Sequence, residues 1–70
     1  MMQHVATIKF KDAETSDEAA AIVRRDEGRV AVTLTLRHNG DVEVVMNKTD
    51  ARAFLDALTT ALTPTPPAGA

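Results

Sequence analysis

The chain has 70 residues, ten acids against eight bases for a formal net charge of −2, and no cysteine. Those numbers leave room for one domain with a modest core, exclude disulfides and thiolate zinc sites, and give no overall basic footprint for nucleic acid or an anionic membrane. No apolar run approaches the ~20 residues of a membrane span, and MMQHVATIKF lacks a basic region followed by an apolar block, so a cytoplasmic location is expected.

In chain order, Ala6, Ile8 and Phe10 alternate with Val5, Thr7, Lys9 and Lys11, the period of a first strand. KDAETSDE follows as a polar loop. The next segment, EAAAIVRRDEG at 18–28, supports two readings. As a short helix over 16–26, it has a Thr15/Glu18 capping box, three alanines, late arginines at 24 and 25, and Gly28 to end it. As a strand, it escapes the thin apolar face such a helix would have, and RDEGR repeats the spacing of RHNGD further on. A three-residue loop Asp26-Glu27-Gly28 then pairs Ile22 with Val32 and Ala20 with Leu34. The strand is the preferred reading.

TLTLRHNGDVEVV at 33–45 is a hairpin. Val30, Val32, Leu34 and Leu36 share one strand face, and Val42, Val44 and Met46 share one on the return. A two-residue Asn39-Gly40 turn would set Leu36 against Glu43, a carboxylate among leucines. A three-residue loop His38-Asn39-Gly40 instead pairs Arg37 with Asp41, Leu36 with Val42, Leu34 with Val44 and Val32 with Met46. Gly40 then takes the left-handed position.

Ala51, Phe54, Leu55, Leu58 and Leu62 form the apolar stripe of a helix near 48–62. Asn47 or Thr49 caps it, Asp50 suits its first turn, and Pro64 stops it. The remaining TPTPPAGA reads as a polyproline-like tail. The expected fold class is α+β: a three- or four-stranded antiparallel meander with one C-terminal helix packed on one face. Residues 1–62 form the single domain and 63–70 a disordered Pro-rich tail. The expected core joins Ile8, Phe10 and Ile22 to the two hairpin faces and to Phe54, Leu55, Leu58 and Leu62.

No catalytic, metal-binding or cofactor-binding set emerges. Ser16 sits in an acidic loop, and nothing in the sequence gathers it with His4 or His38. Asp41 follows His38-Asn39-Gly40 at a spacing that loop chemistry explains. Asp17-Glu18 and Asp26-Glu27 occupy turn or cap positions, and the three glycines are isolated.

The expected function is a non-enzymatic protein-interaction module, homodimeric, that binds or regulates another protein through an open sheet face or an edge strand. Domains below ~70–80 residues rarely draw enough stability from one core, which points to a partner chain. The face away from the helix nominates Ala31, Thr33, Thr35, Glu43 and Val45. A nucleic-acid-binding regulator is the alternative, using a basic strip of Lys9, Lys11, Arg25 and Arg37, although no aromatic side chain accompanies it and acids interrupt it. Third comes an enzyme subunit whose site forms only between chains.

Overall fold

The structure, a computed structural model, describes residues 1–38 and 40–64; the expected tail falls largely outside that range, as does Asn39. The elements are β1 (Gln3–Lys11), β2 (Glu18–Asp26), β3 (Arg29–Leu36), β4 (Gly40–Asn47) and α1 (Lys48–Leu62). The strands form one antiparallel sheet in the order β1-β2-β3-β4, a plain meander, with the helix on one side.

Residues 18–26 are therefore a strand, and the short helix over 16–26 does not form. Thr15 Oγ1 accepts from Asp17 N at 3.2 Å instead of capping a helix. Flanked on both sides, β2 pairs its backbone with two neighbours, and that outweighs the helical preference of three alanines. The preceding turn is closed by Asp12, whose Oδ1 accepts from Glu14 N at 2.8 Å and Thr15 N at 3.0 Å, while Ser16 takes φ 66°.

The β2–β3 register differs from the expected one. Asp26 pairs with Arg29 around a two-residue Glu27-Gly28 turn, Gly28 taking φ +70°. Val23 therefore faces Val32 and Ala21 faces Leu34. This one-residue difference turns Ile22, expected in the core, to the opposite face beside Thr33. The Asp26–Arg29 ion pair, 2.8 Å across the turn, favours the shorter loop.

In the β3–β4 hairpin the expected faces hold but the partners shift. Leu36 pairs with Gly40, Leu34 with Val42, Val32 with Val44 and Val30 with Met46. Gly40 is left-handed, at φ +82°. Arg37 does not pair with Asp41. Its N–H donates to the Glu18 carbonyl at 3.0 Å and its guanidinium to the Glu18 carboxylate at 2.8 Å, which ties the hairpin end to the start of β2.

The helix follows β4 without a linker. Asn47 caps it, its side-chain oxygen accepting from Asp50 N at 2.8 Å. Its backbone approaches β3 and β4, and on β2 only Val23 shares a cleft with it. No helix residue is buried. Apart from Ile22, the expected core is thus assembled on one side of the sheet but not closed: Ala31, at 0% exposure and on the other side, is the buried hydrophobic residue among those described.

Candidate interaction surfaces

The two faces of the sheet follow from the pairing. One carries Ala31, Thr33 and Thr35 on β3, opposed by Val45, Glu43 and Asp41 on β4. Arg24, Ile22 and Ala20 extend this face on β2, and Thr7 and Lys9 extend it on β1. All five residues nominated for an interaction surface are gathered here. Their arrangement is tighter than alternation alone implied. Arg24 reaches across β3, and its Nη2 donates to Glu43 Oε2 at 2.8 Å. The guanidinium stem has to pass over Ala31 and Thr33, which explains why an alanine is the fully covered residue. Arg24 Nε, within the bridge, and Thr33 Oγ1 are buried with no hydrogen-bond partner among the described residues. An ion pair with half-exposed partners contributes little net stability; here its consequence is to cover the middle of the face.

The helix-side face is the more apolar. Three cross-strand rows run from β1 over β2 to β3: Ala6–Val23–Val32, Ile8–Ala21–Leu34 and Phe10–Ala19–Leu36. On β4, Val44 and Val42 continue the first two rows, Gly40 ends the third, and Met46 pairs with Val30 on the same face. Ile8, Phe10, Leu34, Val42, Val44, Phe54, Leu55 and Leu58 are each 44% to 58% exposed, and Leu62 is 84% exposed. Scattered exposed hydrophobics are ordinary, whereas these lie together on one side of the sheet. Near the helix start, Val23, Val30, Val32 and Met46 line an open cleft with Ala51, Phe54, Leu55 and Leu58.

The nominated basic strip does not assemble. Lys9, Lys11 and Arg37 line a shallow depression at one end of the sheet, where Arg37 is engaged by Glu18. Arg25 lies near the opposite end, on the helix-side face, and bonds Gln3 at 3.3 Å. The histidines are also apart: His4 Nε2 contacts Thr7 Oγ1 at 2.7 Å, and His38 Nδ1 contacts Asp17 Oδ1 at 3.3 Å. Among the described residues, no three His, Asp or Glu side chains cluster as a metal site.

Among the described residues two carboxyls are perturbed, both beside turns. Backbone N–H groups of Thr15 and Glu14 hold Asp12 below the ordinary carboxylate range. The Glu27 N–H and then the Arg29 side chain do the same for Asp26. These shifts belong to turn closure. Among the described residues, no helix is long and apolar enough to cross a membrane.

The surface that the sequence did not nominate is the alanine floor, Ala19 and Ala21. Its signal was present in the oppositely charged Asp26 and Arg29 flanking Glu27-Gly28, which select the register that turns those alanines helix-side. Compared with protein-family models, curated proteins and solved structures, the chain shows no match.

Proposed function

We propose that this chain is a non-enzymatic protein-interaction module that self-associates through its helix-side face and presents its other face and free strand edges to a further protein. One observation carries the reading: the large apolar side chains of the helix and sheet meet on one side yet remain about half exposed. Such surface is stabilised only when another chain removes it from water. The small size of the chain and the absence of cysteine point the same way.

The opposite face, with Ala31, Thr33, Thr35, Glu43 and Val45, is already bridged by Arg24 and Glu43. It is flatter and more polar, suited to a weaker second contact. The dispersed bases give nucleic acid no comparable surface.

Light scattering on two double variants tests this assignment. Leu55→Asp with Leu58→Asp is expected to reduce the particle to a single chain. Thr33→Lys with Val45→Lys is expected to leave the associated mass unchanged. The reverse pattern, or a wild-type protein that does not associate, would overturn the reading.

A further inference from the structure

We infer that the occupant of the open helix-side face is helix α1 of a second copy of this chain, seated along β2. The inference deepens the self-association reading above and rests on it. Four strands about 4.8 Å apart make a face roughly 19 Å wide, which takes two helices packed about 8–10 Å apart. The chain supplies one. Its backbone approaches β3 and β4, and of β2 it reaches Val23 but not Ala19 or Ala21, which leaves that end of β2 and β1 open.

The uncovered half has the relief of a helix seat. In the rows Ile8–Ala21–Leu34 and Phe10–Ala19–Leu36, a small residue on β2 stands between large ones on β1 and β3. The result is a trough with an alanine floor and apolar walls. The matching ridge is on the chain itself: at helical spacing α1 carries Leu62, 84% exposed, with Leu55 and Leu58, which line its own cleft yet keep about half their surface.

The missing burial is of the right size. A folded chain of 7.5 kDa is expected to expose about 4,250 Å², whereas this one exposes 5853 Å². If residues 65–70 carried the full area of an unfolded segment, about 700 Å², roughly 900 Å² of excess would remain. A standard stable interface takes about 800 Å² from each partner. A two-fold axis makes the exchange reciprocal, each helix filling the other chain's trough. The net charge of −2 per chain opposes this only weakly.

Cysteine pairs test the seat directly, because the native chain has none. Full-length Ala21→Cys protein is mixed with equimolar Leu55→Cys, Leu58→Cys or Leu62→Cys protein and oxidised. Each chain carries a single cysteine, so a mixed disulfide reports contact between chains. At least one helix position is expected to give the mixed dimer in preference to either symmetric product. Ala21→Trp, which fills the trough, is expected to weaken association at least tenfold while retaining the sheet's circular dichroism. A wild-type dimer that gives no mixed disulfide and tolerates Ala21→Trp would overturn the helix seat and leave self-association standing. A wild-type protein that stays single-chain would overturn both.

Discussion

Arg24 on β2 and Glu43 on β4 meet at 2.8 Å over the top of β3, and between them lies Ala31, the one described hydrophobic residue with no exposed surface. The bridge makes the size of residue 31 consequential. Ala31→Leu is expected to force the arginine off the sheet and cost about 1–3 kcal/mol, as overpacking does. Arg24→Ala should cost less than about 1 kcal/mol alone, and should recover part of the loss in the Ala31→Leu background. Urea titrations at one fixed protein concentration measure the coupling; strictly additive effects would show that Arg24 does not cover Ala31.

Gly28 turns β2 into β3 at φ +70°, with open space where a Cβ would stand. Its role is conformational rather than steric. Gly28→Ala is expected to cost about 1–2 kcal/mol from the left-handed backbone, and Gly28→Asn less, since asparagine tolerates that region. Equal denaturation midpoints for the glycine and alanine forms would contradict this.

Asn47 ends β4 and caps α1 in one residue. Removing its side-chain oxygen with Asn47→Ala is expected to cost about 1 kcal/mol, and Asn47→Asp should retain the cap. Because α1 supplies the apolar ridge, the alanine variant should also associate less tightly, read from the same concentration series by circular dichroism and light scattering.

Asp12 and Asp26 hold lowered pKa values in the folded chain. The unfolded chain therefore binds these protons more readily, and stability rises with pH across the window below the ordinary aspartate value of 3.8. The contribution is complete above that value and is lost as pH falls through the folded values. Denaturation midpoints between pH 2 and 5 should show this slope, and Asp12→Asn with Asp26→Asn should flatten it. An unchanged slope in the double variant would place the acid sensitivity elsewhere.

What the sequence reveals here is set by the period of a strand. Alternation reports which residues share a face, so the hairpin face of Leu34, Leu36, Val42 and Val44 was legible. A two-residue shift preserves that face, so the alternation could not distinguish Leu34 opposite Val42 from Leu34 opposite Val44. In β2 the adjacent Ile22 and Val23 made either parity acceptable, and a one-residue difference in the turn decided it. The Arg24–Glu43 bridge and the alanine floor both depend on that register, and so did not emerge from alternation. The helix was legible to within two residues of its cap, Asn47 rather than Thr49, because its stripe and its capping side chains are local features. That the helix backbone would approach β3 and β4 but not β1 or β2 is a matter of widths, one helix against four strands.

The most direct measurement is the wild-type mass by sedimentation equilibrium from low micromolar to near-millimolar concentration. The account predicts a species of twice the 7.5 kDa chain mass, dissociating only on dilution. A single-chain mass at the highest concentration would contradict it.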